Sequence, residues 1–267
     1  MRTVVFLLFL FVSSLIAADN SVVVKAKKVN DNVIVNAMNK NPFSVTIAYN
    51  ASYQNLKSDK KLPIIFVLKP YSKEEILHLH IEKNKFLFKA NYKWSIGSKY
   101  ARHDKNYLYR LPYKLGSKQR VSQGFNGKFT HYGMSRYAVD FDMKEGTEIY
   151  AAREGRVVKT KDDSNIGGAT RSFEKYANYI IIEHNDGTLA TYAHLKQNGV
   201  VVKVGEQVKK GQLIGYSGKT GMARGPHLHF IVYRAVDGTT RESFPIKFMS
   251  AKGIVIELMM GKLYVAK

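Results

Sequence analysis

Short runs of apolar, mostly β-branched residues, cut by polar clusters, dominate the first third of the chain. Val22-Val23-Val24, Val33-Ile34-Val35 and Ile64-Ile65-Phe66-Val67-Leu68 are separated by Asn, Asp, Lys and Ser at strand-and-turn spacing. That pattern predicts a small β-sandwich or barrel over residues 19–115. Lys73 to Glu82 fits a short helix or a strand equally well, and the region contains no chemical motif.

From Leu115-Gly116-Ser117 onward glycine becomes frequent and hairpin signals follow one another. The runs Ile180–His184 and Thr188–Tyr192 flank Asn185-Asp186-Gly187, a strong turn signature. Val200–Val204, Gly205-Glu206, Gln207-Val208 and Gln212–Gly215 repeat the strand-turn pattern, and Leu228–Tyr233 is one more strand. The expectation is an antiparallel β domain over 116–248 with little helix. Residues 249–267 read as a C-terminal extension, with a hairpin from Ile254 to Val265 around Gly261. The fold class is therefore mainly β: an antiparallel domain preceded by a smaller β-rich one. Twenty glycines against six prolines agree with many turns and no proline-rich linker.

The first residues change the picture by assigning a compartment. Met1-Arg2 is a short basic start, Val4 to Ile16 is almost wholly apolar, and Ala17-Ala18 precedes the polar Asp19-Asn20. This is the layout of a signal peptide over 1–18, cleaved near Ala17 or Ala18. For a retained membrane anchor the apolar run is short, and no other run is long enough to span a bilayer. The expected location is outside the cytoplasm, in the periplasm or cell envelope.

Cysteine is absent. This removes disulfides, thiolate catalysis and cysteine-based zinc sites. Lys+Arg number 42 against 21 Asp+Glu, a formal net charge of +21, which favours a polyanionic partner. The lysines are spread along the chain instead of being grouped with aromatics in a nucleic-acid module. Export favours anionic wall polymer or a membrane surface over nucleic acid.

Candidate chemistry rests on eight histidines. Two pairs have His-x-His spacing, which on a strand sets two imidazoles on one face. His78-Leu79-His80 sits among Glu74, Glu75, Glu82 and Lys83, without a partner motif, and reads as surface. His227-Leu228-His229 follows Gly218-Lys219-Thr220-Gly221 and Gly225-Pro226, a tight loop feeding an apolar strand. Gly218-Lys219-Thr220 is no phosphate loop, because that pattern needs glycine where the chain has Leu213.

Further blocks complete a constellation: His131, Tyr137-Ala138-Val139-Asp140-Phe141, Gly146-Thr147, Ala151-Ala152-Arg153-Glu154-Gly155, Tyr192-Ala193-His194-Leu195 and Val208–Gly215. With the loop and strand at 218–230, they make residues 131–230 resemble the lysostaphin-like, or LytM-type, zinc metallopeptidases that degrade peptidoglycan. The resemblance implies His131, Asp140 and His229 as ligands of one zinc ion, and His194 and His227 as catalytic histidines that do not bind it. Two histidines and a carboxylate leave a fourth position for water, whose pKa zinc lowers while polarising the scissile carbonyl. The resemblance does not say which of His194 and His227 is the general base. Two departures stand out. Eight residues separate His131 from Asp140 where many relatives have three, a spacing associated with exported enzymes of Gram-negative type. Ile231 stands where many relatives have glutamate.

What the resemblance implies is a peptidoglycan endopeptidase cutting peptide cross-links. A carboxypeptidase trimming stem peptides and a non-catalytic activator of another wall hydrolase are the alternatives, the latter disfavoured by five intact motif positions. A basic nucleic-acid-binding protein would explain the charge and leave the motifs unaccounted for. Residues 19–115 are expected to be an accessory or regulatory domain, either a plain β scaffold or a restraint on substrate entry. Oligomeric state is not legible.

Overall fold

The computed structural model describes residues 20–267; the signal sequence read over 1–18 lies outside the described residues. The chain divides into two compact units, one running up to Lys99 and including Ala235–Thr240, the other formed by Tyr100–Arg234 and Arg241–Lys267.

The first unit holds two antiparallel sheets. One orders its strands Val22–Val29, Asn32–Asn39, Lys73–Ile81, Leu56–Ser58, and the other Ile64–Leu68, Val45–Gln54, Leu87–Ile96. Asn32–Asn39 alternates with period two, burying Val33, Val35 and Ala37. The ambiguous segment is the strand Lys73–Ile81, with Ile76, Leu77 and Leu79 buried and His78 and His80 exposed. A helix would scatter those apolar residues around its axis, whereas a strand lets Leu77 and Leu79 share one face.

The second unit is built on a nine-stranded sheet. Its order is Gln207–Val208, Gly155–Lys161, Tyr179–Glu183, Leu189–Ala193, His227–Ala235, Val139–Asp142, Lys118–Gln123, Leu263–Val265, with Arg241–Ser243 also paired to His227–Ala235. A three-stranded sheet of Glu148–Tyr150, Leu213–Ser217 and Leu195–Val200 accompanies it. The core between them holds Phe141, Tyr192, Phe230, Ile149, Leu195 and Ile214, all fully buried. The helical elements among the described residues are two 3₁₀ turns, Gly133–Ser135 and Arg171–Tyr176. No helix among the described residues is long and apolar enough to cross a membrane.

Several boundaries differ from the sequence reading. The second unit begins at Tyr100, not near 116. Tyr109, Leu111 and Tyr113 are fully buried in its core, and Leu108–Arg110 pairs in parallel with Lys247–Ser250. The expected hairpin over 254–265 does not form. Gly253–Val255 pairs with Lys247–Ser250, while Leu263–Val265 pairs with Lys118–Gln123 at the sheet edge. The apolar residues of this tail thus serve two sheets, and Leu258 and Ala266 enter the core. The strand expected over 200–204 lies earlier, at Leu195–Val200. Among the described residues two strand pairs are parallel, the one at Leu108–Arg110 and a two-residue one joining Gly167-Gly168 to Gly221-Met222.

Candidate active site

Adjacent strands carry one row of residues across the large sheet. Asp140 stands in register opposite His229 on one side and opposite Gln123 on the other. His229 stands in turn opposite Ala193, the residue before His194. Strand alternation sends Val139, Phe141, Leu228 and Phe230 into the core and turns Asp140, His227 and His229 to the opposite face. His131 arrives differently, from the loop between Gln123 and Val139, where the turn Gly133–Ser135 takes up part of the long spacing to Asp140.

His131, Asp140 and His229 offer donor atoms that all lie within 4.8 Å of one another. His229 Nδ1 is 2.8 Å from Asp140 Oδ1, and His131 Nε2 is 3.1 Å from Asp140 Oδ2. His131 is completely buried, and its Nδ1–H donates to the Gly124 carbonyl at 2.9 Å. That bond fixes the tautomer and leaves the Nε2 lone pair facing Asp140. Nε2 has no hydrogen-bond partner of good geometry. A buried imidazole nitrogen aimed at a carboxylate, both acceptors, is costly unless a cation lies between them. Two imidazole nitrogens and one carboxylate oxygen are a donor set suited to zinc with an open position. The residues present fit the metal that the resemblance implies.

His194 and His227 lie beside this set. Their ring centroids are 4.5 Å apart, and that of His194 is 5.9 Å from His229. Each is oriented through Nδ1 by a backbone carbonyl, His194 by Thr220 at 2.7 Å and His227 by Gly225 at 2.9 Å. Both therefore keep Nε2 available. His194 has φ of 66°, a left-handed conformation uncommon for a residue with a side chain. The kink lies between the strands Leu189–Ala193 and Leu195–Val200.

Burial and charge set the protonation states. Burial alone would raise the Asp140 pKa, but its contacts with His131 and His229 outweigh that and hold it well below the ordinary carboxylate range. Burial pushes His229 down, against the opposing pull of Asp140. Burial, joined by His227 and His229, pushes His194 down to about 3. His194 is thus neutral at pH 7, a proton acceptor.

All five residues singled out in the sequence meet here, whereas His78 and His80 belong to the other unit. Sequence reasoning missed Gln123. Its Nε2 donates to Asp140 Oδ2 at 3.0 Å and to Thr130 Oγ1 at 2.7 Å, while its Oε1 accepts from the backbone N–H groups of Phe129 and Thr130. It also missed Thr220, whose carbonyl orients His194 and whose hydroxyl bridges Asn178 N and the Leu195 carbonyl. Ile231, at the position where a glutamate was noted as absent, is buried opposite Thr191.

The donor set suits a metal centre, and the part of the chain around it is similar to known peptidases. Residues 134–241 match the model of Peptidase family M23. The match contains Asp140, His194, His227 and His229 and begins three residues after His131. Peptidoglycan DD-endopeptidase ShyA of Vibrio cholerae is 36% identical over 122 residues, covering 44% of this chain and 26% of that protein. Lysostaphin of Staphylococcus simulans is 38% identical over 133 residues, covering 49% of this chain and 23% of that one. The solved catalytic domain of the latter shares 29% identity over 53% of this chain and 95% of that domain, with a TM-score of 0.34. The chain spans about a quarter of the length of these two relatives.

Proposed function

We propose that the protein is an exported, zinc-dependent endopeptidase that hydrolyses the peptide cross-links of bacterial cell wall, acting in the periplasm or envelope. The observation that carries this reading is the convergence of His131, Asp140 and His229 with two further imidazoles that do not touch Asp140. A structural ion pair has no use for the second pair of histidines, whereas hydrolysis does. The naming of relatives as peptidoglycan endopeptidases supplies the substrate class.

His131, Asp140 and His229 would hold the ion, which supplies Lewis acidity towards water and the scissile carbonyl. His194, kept neutral by burial, can receive a proton at Nε2. His227, with Nδ1 on the Gly225 carbonyl, lies beside it and would donate from Nε2 to the oxygen on which charge develops when it carries a second proton. The geometry is compatible with the reverse division of labour as well. Gln123 and the carbonyls of Gly124, Thr220 and Gly225 keep these groups in place. The basic composition would favour binding to anionic wall polymer.

The test is digestion of purified wall and of soluble cross-linked muropeptides, with products identified by mass spectrometry. Cleavage of cross-links by the wild type, falling about 10²–10⁴-fold in His194→Ala and His227→Ala while zinc content is retained, is expected. Release of terminal residues only would make it a carboxypeptidase. No cleavage by a zinc-loaded protein would sink the enzymatic reading.

A further inference from the structure

Three segments meet around the sequence neighbours of His131: the loop carrying His131, the 3₁₀ region around Arg171–Tyr176, and the loop leading into His227. They are tied to one another. Gly167-Gly168 pairs with Gly221-Met222, and Ala223 N–H donates to the Gly168 carbonyl at 2.9 Å. The Arg171 guanidinium donates to the Tyr132 hydroxyl. The Arg224 guanidinium lies 5.9 Å from the centre of the Phe129 ring. The two anchor points, Phe129 and Tyr132, bracket His131 in sequence, and Arg224 is three residues before His227.

These arginines differ from others in the molecule. Arg120, Arg153, Arg156 and Arg234 each meet a carboxylate, at 2.7–2.9 Å. Among the described residues neither Arg171 nor Arg224 has a carboxylate within salt-bridge distance, and both are exposed. Residues 128–136, 166–176 and 219–227 contain six basic side chains and one carboxylate, Glu174. Lys219 is the one of the six that meets an acid, Glu145 at 3.8 Å. A third guanidinium, Arg241, donates to Ser135 Oγ at 3.0 Å on the same loop. Phe129, Tyr132 and Met134 are exposed between these charges. Their rings and thioether offer an apolar bed for a peptide backbone and small side chains. Two guanidinium groups without a carboxylate partner, one bonded to a tyrosine hydroxyl and one near a phenyl ring, offer forked donors to a planar anion.

We propose that Arg171 and Arg224 form a carboxylate-binding subsite beside the His131–Asp140–His229 triad, selecting peptides with a free carboxylate close to the scissile bond. This rests on the peptidase reading and specifies its substrate. Each arginine acts in binding and not in proton transfer, so its removal raises KM and leaves kcat nearly unchanged.

The experiment compares one cross-linked peptide in two forms, with its carboxylates free and with them amidated, on the full mature chain. Wild type is expected to prefer the free acid about 10-fold or more in kcat/KM, the range of a charge-assisted bidentate contact at a partly wet surface. Arg171→Gln and Arg224→Gln should each lower turnover of the acid form through KM and leave the amide form unchanged. Arg171→Lys, which keeps the charge without the fork, should recover part of the loss. Equilibrium binding of both peptides to the full-length His227→Ala protein, by calorimetry, reads the same preference without turnover. Equal cleavage of acid and amide, or a preference surviving both Gln substitutions, overturns the subsite while leaving the peptidase intact. Binding that discriminates without any cleavage by the wild type would keep the subsite and discard the peptidase.

Discussion

Gln123→Ala is the perturbation that tests how far the metal site depends on support outside its ligands. The side chain is 5% exposed and makes four hydrogen bonds, two through Nε2 and two through Oε1. Their losses are unequal. Phe129 and Thr130 are exposed, so water can replace Oε1 at their N–H groups at little cost. Asp140 Oδ2 is buried, and a hydrogen bond to a buried charge contributes about 1.5–3 kcal/mol. The expected destabilisation of the metal-free protein is therefore about 2–3 kcal/mol, dominated by one bond. Metal affinity should fall about 10–100-fold, the usual effect of removing a partner that orients a ligating carboxylate. Gln123→Glu should be at least as harmful, because it replaces the donor to Asp140 with a second acceptor. Chelator competition gives the zinc affinity and urea titration the stability. Zinc affinity of Gln123→Ala within twofold of wild type would refute the idea that Gln123 positions Asp140.

Among the ligands, His131→Ala, Asp140→Ala and His229→Ala should each lower bound zinc from about one per chain to near zero; full occupancy in all three would overturn the assignment. A second expectation concerns acid. His184 is wholly buried with Nε2 unpartnered, and burial, reinforced by Arg153, pushes its pKa down to about 3. The unfolded chain then binds the extra proton below about pH 6.5, so this stability is complete above 6.5 and is lost as pH falls towards 3. His184→Gln should flatten the decline of the urea midpoint between pH 7 and pH 5, and parallel curves for the two proteins would count against it. At the left-handed His194, Gly should be tolerated better than Ala by about 1 kcal/mol in stability although both abolish activity; an Ala variant as stable as the Gly one would show that the conformation carries no strain. Finally, binding to wall sacculi should weaken steadily with salt, since exposed charges are screened beyond about 10 Å at 0.1 M, and binding unchanged up to molar salt would point to shape or apolar contact.

The candidate site residues were legible through the ordered blocks that carry the resemblance, and strand alternation agrees with it at Asp140, His227 and His229. His227 and His229 sit two apart on a strand whose intervening Leu228 and following Phe230 are core, so a period-two pattern alone puts both imidazoles on the far face. Asp140 is marked by Val139 and Phe141 in the same way. Gln123 has no such mark. Glutamine is common on surfaces, and its importance comes from standing opposite Asp140 on the neighbouring strand, a pairing between distant residues that local pattern does not encode. The same reason explains the tail. Gly253–Val255 and Leu263–Val265 have the composition and spacing of a hairpin, but each found an edge of a different sheet with exposed backbone groups to satisfy. The boundary at Tyr100 was hidden because residues 100–107 are mostly polar and the strand that follows has three residues.

Two kinds of support divide the site, and the division has a functional reason. Asp140 and His229 stand on paired strands inside the large sheet, each strand flanked by a hydrogen-bonded neighbour on both sides. Strand pairing fixes the separation of Asp140 and His229, whereas His131 is held from a loop by the Gly124 carbonyl. His194 and His227 instead stand at a kink and at a strand start, each held by a single carbonyl through Nδ1. A group that must pass a proton on needs one nitrogen anchored and the other free to follow the reacting atom, which a single bond permits. The loops bearing Arg171 and Arg224 are tied together by a short strand pairing and reach the His131 loop through side-chain contacts. On the proposed roles, metal retention, turnover and choice of peptide should be separable by mutation at Gln123, His194 and Arg224 respectively.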